Sequence, residues 1–129
     1  MWGYITMEKG IVYLSTYSNK SGGVTALDAT TGQQKWIYNS GSYQNEPAVN
    51  DKMVYATDLD KLNIIALDKT NGKLKWEGTG SVAMRQLNAS NEYLGGAIPN
   101  KPDSAFVCFD ANSGKALWSG GRAFCGALP

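Results

Sequence analysis

Apolar and polar positions alternate along this chain in short bursts, and each burst stops at a cluster of turn-forming residues. Gly10-Ile11-Val12-Tyr13-Leu14-Ser15-Thr16 and Lys52-Met53-Val54-Tyr55-Ala56-Thr57-Asp58 carry the same pattern, and Glu92-Tyr93-Leu94-Gly95-Gly96 is a weaker version of it. A short turn precedes each: Glu8-Lys9-Gly10, Asn50-Asp51-Lys52 and Ser90-Asn91-Glu92. Nowhere is an apolar spacing of about 3.6 residues sustained, so no helix is expected. In the middle of the chain, Glu46-Pro47-Ala48-Val49, Met53 to Thr57, Asn63 to Asp68 and Lys73 to Trp76 read as four successive strands. The Asn71-Gly72 pair supplies the positive φ that a tight hairpin between the last two needs.

The pattern repeats. Ala26-Leu27-Asp28-Ala29-Thr30-Thr31-Gly32-Gln33-Gln34-Lys35-Trp36 aligns with Ala66-Leu67-Asp68-Lys69-Thr70-Asn71-Gly72-Lys73-Leu74-Lys75-Trp76. Both align with Cys108-Phe109-Asp110-Ala111-Asn112-Ser113-Gly114-Lys115-Ala116-Leu117-Trp118. The tryptophans stand 76 − 36 = 40 and 118 − 76 = 42 residues apart, and the aspartates and glycines keep the same spacing. Such register over three copies marks a repeat architecture. A unit of about 40 residues with four short antiparallel strands is a β-propeller blade. The expected fold is all-β: three four-stranded blades over residues 5–46, 47–86 and 87–128, within one domain spanning 1–129.

The segment Ala-x-Asp-x-x-Thr-Gly-x-x-x-Trp resembles the tryptophan-docking motif of the quinoprotein, or PQQ-like, β-propeller repeat family. Ala26, Asp28, Thr31, Gly32 and Trp36 match it at every position. The second copy, Ala66, Asp68, Gly72 and Trp76, has Asn71 in place of Thr. The third, Asp110, Gly114 and Trp118, has Cys108 in place of Ala and Ser113 in place of Thr. The resemblance implies that each Trp packs between neighbouring blades and hydrogen-bonds backbone. It implies that Asp and Thr fix the hairpin corner and that Ala leaves room for the ring. Family propellers are closed rings, typically of seven or eight blades. Three blades form a partial ring or half of an oligomeric propeller, with an apolar face at each end. Two such chains would supply six blades.

Composition narrows the chemistry. The chain has 129 residues, Lys+Arg 12 against Asp+Glu 11, a formal charge of +1 and no histidine. A balance so near neutral argues against a nucleic-acid partner. The missing histidine removes His triads, His bases and His metal sites. There is no apolar run of the roughly 18 residues a membrane-spanning helix needs, and the N-terminus does not read as a signal peptide. The resemblance favours a periplasmic or extracellular setting, but the sequence leaves the compartment open. Cys108 and Cys125 have no zinc-like spacing and read as small apolar residues or one disulfide. Quinoprotein dehydrogenases hold pyrroloquinoline quinone (PQQ) and calcium with residues from many blades, and commonly carry adjacent cysteines. This chain has no such pair, so neither PQQ nor calcium is expected as a cofactor. Asp58, Asp60 and Asn63 offer oxygen ligands but lack the Gly and the terminal Glu of a calcium loop, and read as a solvated turn.

The expected function is therefore a non-catalytic module for protein interaction or scaffolding. Its partners would be other copies of itself or the remaining blades of a propeller. The alternatives are a fragment of a PQQ-dependent dehydrogenase and a ligand-sensing propeller domain. Contact residues are sought in the irregular loops, where Tyr43, Gln44, Arg85 and Arg122 stand out.

Overall fold

The alternation becomes three separate sheets, each of four antiparallel strands taken in chain order. The computed structural model describes residues 2–17, 22–43, 45–58, 60–61, 63–78, 86–98 and 105–120. The first sheet holds β1 (Trp2–Glu8), β2 (Ile11–Tyr17), β3 (Gly23–Asp28) and β4 (Gln34–Tyr38). The second holds β5 (Ala48–Val49), β6 (Met53–Asp58), β7 (Asn63–Asp68) and β8 (Leu74–Gly78). The third holds β9 (Gln86–Ala89), β10 (Tyr93–Ile98), β11 (Ala105–Asp110) and β12 (Ala116–Gly120). These are the blades of a partial propeller. Among the described residues there is no helix.

Several strand bounds differ from the sequence expectation: β1 begins at Trp2, ahead of residue 5, β6 runs on to Asp58, and β9 begins at Gln86, so that residue opens the third sheet. β5 is reduced to Ala48–Val49, because Pro47 has no N–H for the ladder. Its carbonyl instead accepts Thr6 Oγ1 of blade 1 at 2.7 Å. β8 starts at Leu74 rather than Lys73 and runs on to Gly78.

One row of side chains crosses each sheet in register: Tyr13, Ala26 and Trp36 in blade 1, then Tyr55, Ala66 and Trp76 in blade 2. The small middle residue keeps the strand low between two large rings. Tyr13 and Trp36 have centroids 6.2 Å apart at 43°, and Tyr55 and Trp76 are 5.7 Å apart at 46°. Tilted pairs at this distance suit the ring quadrupoles. In blade 3 the same row reads Gly95, Cys108 and Trp118, so the tyrosine is replaced by glycine.

The core lies between blades. One cluster joins Tyr13, Val24, Ala26 and Trp36 of blade 1 to Val54, Ala56, Ile65 and Leu67 of blade 2. The other joins Tyr55, Ala66 and Ile64 of blade 2 to Leu94, Phe109 and Ala111 of blade 3. Blade 2 is covered on both faces, and every residue of β6 is buried. Among the described residues, the outer blades are covered on one face. Ile5, Met7 and Ile37 of blade 1, and Tyr93 and Phe106 of blade 3, remain exposed.

Candidate functional site

The recurring motif builds a hairpin corner and a seat for a neighbour's tryptophan. At the first corner, Asp28 Oδ1 accepts the backbone N–H groups of Thr30 at 2.8 Å and Thr31 at 3.1 Å. Thr31 Oγ1 accepts Gln33 N–H at 3.2 Å. At the second, Asp68 Oδ1 accepts Thr70 N–H at 2.8 Å, and Asn71 Oδ1 accepts Lys73 N–H at 2.9 Å. At the third, Asp110 Oδ1 accepts Asn112 and Ser113 N–H, and Ser113 Oγ accepts Lys115 N–H at 3.2 Å. Asn71 and Ser113 thus make the same local bond as Thr31. Any short side chain with an acceptor oxygen closes this turn. The hydrogen bonds hold all three carboxyls below the usual carboxylate range.

Each corner ends on a glycine in the left-handed region: Gly32 at φ 73°, Gly72 at 75° and Gly114 at 77°. Asn71 does not share the positive φ the hairpin expectation gave it. The five-position corner needs only one such residue, and the bulge at Ala66/Leu67 takes up the extra chain.

Trp36 reaches from blade 1 into the corner of blade 2. Its Nε1–H donates to Lys69 O at 2.8 Å, and its ring lies against Gly72. Trp76 repeats this on blade 3, donating to Ala111 O at 3.1 Å over Gly114. A Cβ on Gly72 or Gly114 would stand 2.4 or 2.5 Å from the Cε3 of the docked tryptophan. Trp118 is half-buried, and among the described residues no carbonyl accepts its Nε1–H.

Further contacts at the junctions were not evident from the motif. Tyr55 O–H donates to Ala111 O at 2.8 Å and accepts from Asn50 Nδ2 at 3.0 Å. Asn50 also donates to Ser90 O of blade 3 at 2.9 Å. Lys69 Nζ pairs with Glu8 of blade 1 and donates to Asn50 O at 2.9 Å. Asp51 and Asn91 exchange two hydrogen bonds, at 2.9 and 2.8 Å. The Asn50 turn before β6 was the visible signal for part of this network.

The loop candidates fare differently. Tyr43 is no surface contact: it is 1% exposed, its N–H donates to Thr16 O at 3.3 Å, and it bridges Asp58. Its loop folds back onto blade 2, and burial, with Asp58 nearby, pushes its phenol up. Gln44, Arg85 and Arg122 lie outside the described residues, as does Cys125. Cys108 is a free, buried thiol, raised by burial.

Asp58 Oδ1 accepts backbone N–H from Asp60 at 2.9 Å, Ser42 at 3.4 Å and Lys61 at 3.5 Å. Asn63 Nδ2 donates to Glu77 at 3.0 Å. This is a turn held by its own backbone, and among the described residues no group of three or more acidic, Cys or His side chains converges as metal ligands. A groove of about 980 Å³ runs along blade 3 from its inner strand, where Gln86 and Asn88 share the wall with Tyr4, Asn45 and Glu46, to Cys108 and Trp118.

A family model described as outer membrane protein assembly factor BamB matches residues 2–123. The outer membrane protein assembly factor BamB of Burkholderia pseudomallei is 28% identical over 124 residues, covering 84% of this chain and 32% of that protein. Among solved structures, BamB from Moraxella catarrhalis superposes with a TM-score of 0.71 at 19% identity, over 92% of this chain and 36% of that one. The quinohemoprotein alcohol dehydrogenase from Comamonas testosteroni gives 0.70 at 20% identity, over 92% of this chain and 20% of that one. Both structural likenesses concern the fold. The chain spans about a third of the length of its BamB relative.

Proposed function

This chain belongs to the PQQ-like β-propeller repeat family, and from that premise we propose that it is a non-catalytic propeller module for protein interaction or scaffolding. The observation that carries the reading is how the motif residues are used. The corner aspartates are engaged by backbone N–H groups, and Gly72 and Gly114 by docked indoles. What the two outer blades turn outward is apolar: Ile5 and Met7 on one, Tyr93 and Phe106 on the other. Apolar faces of this kind suit another protein surface, with aromatic residues as anchors. The relative's name, an outer membrane protein assembly factor, agrees with a role among proteins.

The test is dialysis of the purified chain against PQQ and calcium, followed by visible spectroscopy and dye-coupled alcohol oxidation. The expected result is no retained chromophore and no dye reduction. A stoichiometric chromophore with turnover overturns the reading in favour of a dehydrogenase fragment. Retention without turnover overturns it in favour of a sensing domain.

A further inference from the structure

We propose that the inner wall of the propeller, at Glu46, takes the guanidinium of an arginine carried by a partner protein. The inference rests on the interaction-module reading and specifies the chemistry of the partner. Strands β1, β5 and β9 are edge strands of their sheets, and β5 lies against both of the others. These are the edges that converge on the central axis of a propeller, and they border it whatever blades lie beyond. Strand register brings three side chains to one level there. Tyr4 stands two residues before Thr6, which pairs with Tyr13. Glu46 stands two before Ala48, which pairs with Tyr55. Gln86 stands two before Asn88, which pairs with Gly95. Tyr13, Tyr55 and Gly95 hold the same place in their three sheets, so a phenol, a carboxylate and a carboxamide follow one another along the inner wall. All three line the groove, with Asn88 beside them.

Glu46 is held in place by its neighbours. Asn45 and Pro47 are buried, and Glu46 between them is exposed. Asn45 O accepts Ser15 Oγ at 2.5 Å and Pro47 O accepts Thr6 Oγ1 at 2.7 Å, both from blade 1. Asn45 Nδ2 donates to Thr57 Oγ1 of blade 2 at 3.4 Å. A carboxylate on backbone pinned at both flanks is preorganised for a ligand. Glu46 is the one charged residue lining the groove, and the ion pairs among the described residues, Lys9–Asp51 and Lys69–Glu8, do not use it. Charge complementarity therefore asks for a cation. A hard metal ion needs several oxygen ligands, and among the described residues no acidic group of that kind converges. An ammonium would satisfy the carboxylate alone. A guanidinium fits the whole line: two parallel N–H groups for Glu46, others for the amide oxygens of Gln86 and Asn88, and a planar cation for the ring of Tyr4. The wall holds no cation for the α-carboxylate of free arginine, so the arginine it suits is one in peptide linkage.

Titration of the isotope-labelled chain with acetyl-Gly-Arg-Gly-amide, read by amide chemical shifts, tests this. The expected result is saturable shifts centred on Glu46, with Tyr4, Gln86 and Asn88 moving together. The citrulline peptide, which keeps the shape and loses the charge, is expected to bind about tenfold more weakly, and the arginine peptide to lose about as much on Glu46→Gln. Tyr4→Leu is expected to weaken binding about two- to fivefold. Glu46 is exposed, so Glu46→Gln should keep the urea midpoint of the parent. Absence of saturable shifts overturns the proposal, as do equal binding of the citrulline or lysine peptide and unchanged binding to Glu46→Gln. Equal binding of free arginine overturns the assignment to a partner protein. Shifts centred on the corner carboxylates Asp28, Asp68 and Asp110 overturn the assignment to the inner wall. None of these outcomes depends on quinone retention or dye reduction, so this site and the interaction-module reading fail separately.

Discussion

The ring of Trp36 lies against Gly72, so close that a Cβ on that glycine would stand 2.4 Å from Cε3. The two residues belong to different blades, and their contact joins the motif of one repeat to the motif of the next. Replacing Trp36 by Ala removes a side chain only 7% exposed and leaves Lys69 O without its donor. The expected cost is about 3–5 kcal/mol, by analogy with buried aromatic truncations. Trp118→Ala in the dilute chain is expected to cost less than half as much, because Trp118 is half-buried with no such acceptor among the described residues. Urea unfolding of the two variants side by side checks this, and equal losses would remove the docking role from Trp36.

The corner glycines separate in the same way. Gly72→Ala and Gly32→Ala meet the same strained φ, at roughly 1–2 kcal/mol for an L-residue in this region. Only Gly72→Ala also drives a methyl into an indole, which adds about 1–3 kcal/mol of overpacking. Denaturant midpoints should therefore fall further for Gly72→Ala than for Gly32→Ala.

Asp28, Asp68 and Asp110 give the stability a defined acid limb. Their folded carboxyls titrate below the ordinary value: Asp28 through the Thr30 and Thr31 N–H groups, Asp68 through Thr70, Asp110 through Ser113 and Asn112. A carboxyl with a lowered folded value contributes stability above the unfolded value of about 3.9. That contribution is lost as pH falls through the folded value. Stability should fall as pH drops below about 4, and Asn at the three positions, which keeps an acceptor oxygen, should flatten that fall. Urea midpoints between pH 6 and pH 2.5 provide the check.

Tyr55→Phe isolates one hydroxyl. It removes the bond to Ala111 O and leaves the ring against Trp76 in place. Ala111 O keeps the Trp76 indole N–H, so the expected cost is that of one hydrogen bond, about 0.5–1.5 kcal/mol. Amide exchange should report the loss at the junction of blades 2 and 3 before that of blades 1 and 2. A uniform loss across the chain would place Tyr55 O–H outside that junction's support.

The repeat was legible because three residue types recur in register, and register survives substitution at the positions between them. Asn71 and Ser113 could stand for Thr31 because the turn asks only for an acceptor oxygen. What the sequence hid was unique to one copy. Lys69 aligns with Ala29 and Ala111, so its reach to Glu8 has no echo elsewhere. Tyr43 lies in a segment that reads as loop, yet it is core, because that loop folds back to bridge Asp58. The replacement of tyrosine by Gly95 was visible in the alignment. That Gly95 stands in one row with Cys108 and Trp118 needed the strand register.

The corner also sets an order of events along the chain. The side-chain bonds from Asp28, Asp68 and Asp110 span at most three residues, so each corner can close as soon as its own hairpin forms. The tryptophan that uses a corner comes from 33 or 35 residues earlier in sequence. A seat is thus assembled by local chain closure, and the long-range partner arrives at a site already shaped. Folding of such an array is a sequence of short hairpin loops completed one after another, each tied to the next by a single long-range indole.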